Sequence, residues 1–540
     1  MQYPLTVTAL LERAGKLFGG VEIVSRRPDR SLERSNYGNL YQRARALAAA
    51  LAAAGVRRGD RVAALMWNHA RHLEAYFGVP AAGCVHHTLN LRLHPDELAY
   101  IAKHAGDRIL LIDDVLLPLY EKLRERVGFE RVIVAPTTGT AVAAGYESYE
   151  DFLATGALDY RFPALDEDEA AAMCYTSGTT GVPKGIVYTH RSIVLHSFAM
   201  ALPDYCGLSQ RDTLLPIVPM FHANGWGLPH AAAMVGCKQV LPGPHLDPLS
   251  VLELLESEGV TRAAGVPTVW MGVVDALEQQ PGRWKLAPGL MVMSGGSAVP
   301  ESLIRALDRH RVEVRHAWGM TELSPVGTFC TLRSHMTDLP EAERVAIRAR
   351  QGTAAPFVEL RAMVGSKEVP WDGETLGEIQ VRGPWIAASY YNLPGQVERW
   401  TEDGWFCTGD VASIDAGGYV KIADRTKDLI KSGGEWISSV DLENALMGHP
   451  AVKEAAVIAV PHPRWIERPL AVVVLRDGRQ AAGAELREFL AAKFSKWQLP
   501  DAVVFVEEIP RTSVGKFQKS KLRERFAGWQ WEEGAGAANG

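Results

Sequence analysis

The chain has 540 residues, too many for one hydrophobic core, which stops growing at about 250–300 residues, so two or more domains are expected. A composition of 47% apolar and 22% charged residues is that of an ordinary soluble globular chain and excludes disorder as the main state. Lys+Arg 57 against Asp+Glu 63 leaves a net charge of −6, which excludes a global pull toward nucleic acid or anionic lipid.

The N-terminal segment has no basic start ahead of an apolar run, and Glu12, Arg13 and Lys16 interrupt it, so no secretory signal is expected. No stretch reaches the roughly 18 uncharged apolar residues of a spanning helix. The six cysteines, Cys84, Cys174, Cys206, Cys237, Cys330 and Cys407, show neither a C-x-x-C pair nor metal spacing, and free thiols in a reducing cytoplasm are expected. In chain order, the Ala-rich run 44–55 is predicted as a helix ended by Gly55, and 61–67 as a buried strand. Helices follow over 71–83 and 95–106, then a strand over 107–113 and a helix over 116–127. This alternation predicts a parallel, doubly wound sheet, and the texture recurs from about 185 to 320. Around 360–425, short pieces such as 377–383 and 418–424, punctuated by Gly and Pro, predict a small antiparallel subdomain. Beyond Arg425, strands at 454–460 and 470–476 with helices over 439–448 and 484–494 predict a separate α+β unit, giving domains 1–424 and 425–540, with a frayed tail at 532–540.

Chemistry concentrates in Tyr175-Thr176-Ser177-Gly178-Thr179-Thr180-Gly181-Val182-Pro183-Lys184-Gly185. Glycines let backbone N–H groups approach phosphate oxygens, hydroxyls add neutral donors and Lys184 adds a point charge. It is not a Walker A loop, because Val182-Pro183 separate the glycine from the lysine. This loop resembles the phosphate-binding signature of the adenylate-forming (AMP-binding) superfamily, in its acyl-CoA synthetase branch, with bacterial medium- and long-chain fatty-acyl-CoA synthetases most similar. Further segments match in the expected order: Ser294-Gly295-Gly296-Ser297-Ala298 the adenine-side turn, Ala317-Trp318-Gly319-Met320-Thr321-Glu322 the second core motif, and Thr408-Gly409-Asp410 the ribose motif. Residues 424–434 resemble the hinge segment, and 510–516 the motif of the catalytic lysine.

The resemblance implies an α/β N-terminal domain with doubly wound sheets and a small β subdomain, followed by a mobile α+β C-terminal lid. It implies ATP, Mg²⁺ and CoA as cofactor and cosubstrates, and attack of a carboxylate on the α-phosphorus of ATP followed by thioester formation. The 176–184 loop would hold the β- and γ-phosphates, Thr321 the α-phosphate and Glu322 the Mg²⁺. Trp318 would offer a face to adenine, with a core aromatic as the alternative, while Asp410 and Arg425 would hold the ribose. Lys516 would be catalytic, Lys427 the hinge, and Gly433, Gly434, Glu435 and Trp436 the lining of the pantetheine tunnel. His222 would stand near the reacting carboxyl and Trp226 at the gate of a fatty-acid tunnel, with Ala223, Gly225, Gly265 and Val266 as further pocket residues. Relatives often carry larger side chains where this chain has Ala223 and Gly225, which widens the pocket or loosens the gate.

The expected activity is that of a medium- to long-chain fatty acid–CoA ligase. Its alternatives are a CoA ligase for a short sulfur-containing, branched or aryl monocarboxylic acid, a carrier-protein-charging enzyme, and a non-catalytic acyl-nucleotide or interaction module. The last predicts lost phosphate or lysine motifs, and these are intact. A cytoplasmic homodimer is expected, with no nucleic-acid partner.

Overall fold

The computed structural model describes residues 3–176, 182–393, 395, 399–432, 435–512 and 516–531. Among these the strands form four sheets. In the first, seven strands run in the order Glu147–Ser148, Arg131–Ala135, Asp107–Asp113, Arg61–Leu65, Val85–Thr88, Ala170–Tyr175 and Gly185–Thr189. All pairs are parallel except the last, an antiparallel pair joined by the glycine- and hydroxyl-rich loop. The second sheet has nine strands, and its parallel centre runs Glu313–Gly319, Met291–Gly295, Arg262–Gly265, Thr213–Pro216, Lys238–Leu241 and Glu22–Arg26. Antiparallel edges are added by Val326–Phe329 with Thr353–Ala354 on one side and Leu32–Asn36 on the other.

Helices fill the space between the two sheets because their apolar residues face both ways. Leu73, Tyr76 and Phe77 of helix Ala70–Ala81 join Leu10 and Leu11 of Val7–Leu17 and Met234 of Leu228–Val235 in one buried cluster with strand residues Cys174, Ile186 and Tyr188. The Ala-rich helix begins earlier than predicted, at Tyr37, because the Asn36 side chain accepts the Asn39 N–H at 2.8 Å and caps it. The helix predicted over 116–127 is instead two 3₁₀ turns, Asp114–Leu116 and Arg124–Arg126, around the short helix Leu117–Glu121. Tyr120 and Leu123 are the buried residues of this segment.

The third sheet is antiparallel, with strands Lys367–Glu368, Glu359–Val364, Gly377–Arg382, Phe406–Ile414 and Val420–Arg425. The fourth contains Glu435–Ile437, Ile430–Ser432, Ile466–Leu475 and Val452–His462, with Ala502–Phe505 parallel to Ile466–Leu475. The chain passes from third sheet to fourth between Arg425 and Ile430. The architecture is therefore a large α/β part with a β subdomain, followed by a small α+β unit. Among the described residues no helix is long and apolar enough to cross a membrane. The predicted tail lies outside the described residues.

Candidate active site

Parallel strands end with their carboxyl groups on one side of the sheet, and crevices outside those ends are where open α/β sheets bind ligands. Here Gly295 and Gly319 end adjacent strands, while Val218, Pro219 and Val266 follow two others within three residues, and all line one cavity of about 220 Å³. Thr176 and Lys184, from the hairpin of the seven-stranded sheet, form a facing wall. Tyr390, Arg399 and Thr408 close another side, and Lys516 of the C-terminal unit reaches in. A second cavity of about 290 Å³, lined by Ser297, Ala298, Asp410 and Lys427 among others, meets the first at Gly296, Trp318, Arg425 and Lys516.

The polar end is held by hydrogen bonds between distant segments. The Trp318 indole N–H donates to Asp410 Oδ2 at 2.8 Å, and Arg425 Nε lies 3.3 Å from Asp410 Oδ1. Trp318 packs against Leu323, Ile379 and Phe406, so it is at once a core residue and a wall of both cavities. Asp410 and Arg425 are direct cross-strand partners, which puts a carboxylate and a guanidinium together at the cavity rim. Gly319 leaves no room for a side chain: a Cβ there would sit 2.0 Å from the Pro325 carbonyl oxygen. Thr321 and Glu322 form the 3₁₀ turn that follows, and the Thr321 carbonyl accepts from the Tyr188 hydroxyl at 2.8 Å. The Tyr390 hydroxyl donates to Glu322 Oε1 at 2.8 Å, and Lys184 Nζ sits 4.8 Å from the centre of the same ring. The loop ends are clasped, since Thr176 N–H donates to the Lys184 carbonyl at 2.9 Å and Lys184 N–H to Thr176 Oγ1 at 3.1 Å. Ser177, Gly178, Thr179, Thr180 and Gly181 lie outside the described residues.

These groups fit Mg²⁺. Among the described residues no cluster of three His, Cys, Asp or Glu side chains could hold a metal alone. A buried carboxylate such as Glu322, oriented by Tyr390, belongs to the donor set of an ion that takes one or two carboxylates plus substrate phosphates.

The apolar end is built from Val218, Pro219, His222, Ala223, Trp226 and Val266. Trp226 is only 8% exposed and packs with Leu228, Ala317 and Val326. It is carried by an unusual backbone: Ala223, Asn224, Gly225, Trp226 and Gly227 have φ of 37°, 36°, 58°, 56° and 69°. L-residues in this left-handed region cost roughly 1–2 kcal/mol each, so neighbours must hold the turn. At Gly227 the backbone also presses on His196, whose Nδ1 would lie 2.5 Å from an added Cβ. Burial, with help from the charges of Lys516 and Arg92, holds His222 down at about 3, so its imidazole is neutral at ordinary pH. Gly265 faces away from the cavity, accepting the Trp270 indole N–H at 3.1 Å, and Val266 forms the wall there. Gly225 packs beside Pro229 and Tyr76 rather than lining the cavity.

Lys516 joins the two ends. Burial, then repulsion from Arg425, brings its ammonium down to about 8 against the opposing pull of Asp410 and Glu322. Its Cε would lie 3.5 Å from a Cβ placed on Gly296, whose φ is 85°. The loop carrying it is tied by Thr512 N–H donating to the Lys516 carbonyl at 2.7 Å and Lys516 N–H to Thr512 Oγ1 at 3.2 Å. Glu435 and Trp436 line neither cavity; they sit on the hairpin strand Glu435–Ile437, where Trp436 is exposed under Lys431. Gly433 and Gly434 lie outside the described residues.

Tyr390 and Arg399 are lining residues that the sequence reading missed. The Arg399 guanidinium donates to the Thr408 carbonyl at 3.1 Å, while its buried Nε has no partner among the described residues. Each is one residue of a common type in an unremarkable turn, and no local signal distinguishes it.

The AMP-binding enzyme family matches residues 12–391, and the AMP-binding enzyme C-terminal domain family matches residues 441–516. The chain is 53% identical over 529 residues to a long-chain-fatty-acid–CoA ligase of Thermus thermophilus, covering 97% of this chain and 96% of that protein. It is 44% identical over 532 residues to a 3-methylmercaptopropionyl-CoA ligase of Ruegeria lacuscaerulensis, covering 97% and 98%. Among solved structures, the anthranilate CoA ligase AuaEII in complex with anthranoyl-AMP aligns with a TM-score of 0.86 at 26% identity, covering 97% of this chain and 99% of that one.

Proposed function

Because the chain belongs to the AMP-binding enzyme family, in its acyl-CoA synthetase branch, we propose that it is an ATP-dependent fatty acid–CoA ligase acting on medium- to long-chain acids. A carboxylate oxygen attacks the α-phosphorus, a P–O bond to pyrophosphate breaks, and an acyl-adenylate forms. The CoA thiol then attacks the acyl carbon, giving the thioester and AMP. The observation that carries this reading is the buried ammonium of Lys516, set where the polar end of the cleft meets its apolar wall.

In this reading Asp410 accepts from the ribose hydroxyls and Arg425 braces it. Lys184, Thr176 and the loop between them take the outer phosphates, and Arg399 adds a guanidinium on the same side. Glu322, held by Tyr390, would hold Mg²⁺, which supplies neutralisation of phosphate charge. Neutral His222 can donate a hydrogen bond near the acid's carboxylate without adding charge. Lys516 stabilises negative charge developing between carboxylate and phosphate, where one fixed donor contributes about 3–4 kcal/mol.

Lys516, rather than Glu435 and Trp436, faces the cleft, which supports an adenylating arrangement with the boundary at 424/425 and a hinge at Lys427. Lys427→Pro, which fixes φ, is expected to leave adenylation intact and slow thioester formation. Normal turnover of the complete reaction would move the hinge elsewhere. Buried free thiols support a reducing, cytoplasmic setting, and the homodimer rests on family resemblance alone; light scattering tests it. A second reading, a ligase for a short sulfur-containing acid, is favoured by the 44% identical relative named for such a substrate. AMP release across acids from C4 to C18, aryl acids and 3-methylmercaptopropionate, with and without CoA, decides between them. A maximum at the shortest or aryl acids would overturn the fatty-acid reading.

A further inference from the structure

A guanidinium that lines a cavity with no carboxylate beside it calls for an anion, because a charge withdrawn from water is costly until something pairs it. Lys184, Glu322, Arg399, Arg425 and Lys516 are the charged groups lining the first cavity. Arg425 faces Asp410 at 3.3 Å, and Lys184 lies over the Tyr390 ring, whose hydroxyl holds Glu322. Arg399 is half-buried, and among the described residues no carboxylate forms an ion pair with it. Its Nη2 donates to the Thr408 carbonyl at 3.1 Å, its guanidinium carbon lies 5.5 Å from the centre of the Phe406 ring, and its buried Nε has no partner among the described residues. A Cβ on Gly409 would sit 3.5 Å from Nη1, so the head group lies against the backbone of the Thr408-Gly409-Asp410 motif. A carbonyl and an aromatic face hold this charge in place without neutralising it.

The next residue fixes where it stands. The Trp400 indole N–H donates to the Ala387 carbonyl at 2.7 Å, and the Ala387 N–H donates to the Glu322 carbonyl at 2.8 Å. The same indole packs on Tyr390 and Phe406, with ring centres 5.1 and 5.0 Å away. Arg399 is thereby tied to the Glu322 turn on one side and to the ribose motif on the other. We propose that Arg399 is an ATP-binding residue whose guanidinium takes the phosphates that leave as pyrophosphate, and so distinguishes ATP from AMP. The proposal rests on the reading of Asp410 as the ribose site and of Glu322 as the phosphate end. The planar fork of an arginine matches two phosphate oxygens at once, which a lysine ammonium does not.

The test is calorimetry of the full-length enzyme with Mg²⁺ present, titrated with α,β-methylene-ATP and separately with AMP. Arg399→Gln keeps a donor for the Thr408 carbonyl and removes the charge. It is expected to weaken the ATP analogue about 10- to 150-fold, the loss of one hydrogen bond to a charged group, and to leave AMP affinity unchanged. Arg399→Lys, which keeps the charge but not the fork, is expected to lose less. Equal weakening of both nucleotides would make Arg399 a brace of the ribose motif and overturn the proposal. Unchanged affinity for both would overturn it as well, as would a loss confined to octanoate, which would assign the guanidinium to the acid's carboxylate. If Arg399→Gln does not fold, Arg399→Lys is read by the same criterion: the ATP analogue must weaken more than AMP. A wild type that binds neither nucleotide would defeat the ligase reading and the proposal with it. The acid panel does not depend on any Arg399 variant, so failure here is separable from failure of that reading.

Discussion

At the polar end of the cleft, position comes from hydrogen bonds between side chains far apart in sequence: Trp318 to Asp410, and Tyr390 to Glu322. At the apolar end, Trp226 is held by backbone conformation and packing, on a turn whose φ values few L-residues adopt. The difference follows from what each end handles. Charge that develops during a reaction is stabilised by donors fixed beforehand, since reorienting them would consume the gain. An alkyl chain asks only for a dry volume. The polar end is therefore set by hydrogen bonds, and the apolar end by packing and backbone conformation.

The largest effect that would sharpen this contrast is Lys516→Ala. It should lower ATP–pyrophosphate exchange on the order of 100- to 1000-fold, the loss seen when one fixed donor to developing charge is removed. Conversion of supplied acyl-adenylate and CoA to thioester should survive, and equal loss of both steps would break the assignment. Next, Asp410→Ala strands the Trp318 indole N–H and the Arg425 guanidinium, and KM for ATP should rise about tenfold, as for one lost charged hydrogen bond. An unchanged KM for ATP would break the placement of the ribose at Asp410.

A smaller, graded effect is expected with pH. Lys516 sits at about 8, below the ordinary lysine value, so its charged form is full below that pH and is lost as pH rises through it. The kcat/KM for ATP in adenylation should therefore fall on the alkaline side with an inflection near that value, and Lys516→Arg should remove the inflection. An unchanged alkaline limb in Lys516→Arg would assign it to another group. The smallest effect belongs to the apolar wall. Wild-type kcat/KM should rise about fourfold per methylene, from roughly 0.8 kcal/mol each, until the pocket is full. Trp226→Ala should move that break point; an identical chain-length profile would make Trp226 a packing residue.

Much of this was legible in the sequence because it is local. Alternation of apolar runs with 3.6-residue periodicity predicts the doubly wound sheets, and Gly- and Pro-punctuated strands predict the antiparallel subdomain. Glycine, hydroxyl and lysine crowded into 175–185 point to phosphate because the chemistry needs no distant partner. Over 116–127 the local reading failed: the segment is a short helix between two 3₁₀ turns rather than one continuous helix.

By itself the sequence determined the order of the motifs, the change of texture near 425 and the types of residue able to bind a nucleotide. Tertiary structure alone decided that Trp318 donates to Asp410 across 92 residues, that Cys174 grips Asn224 across 50, and that Tyr188 reaches Thr321 across 133. It alone also brought Tyr390, Arg399 and Lys516 to one cleft and turned 223–227 left-handed. The physical reason is that a hydrogen bond or a forced φ is set by whatever folding brings within about 3 Å, and neighbours in space leave no spacing rule along the chain.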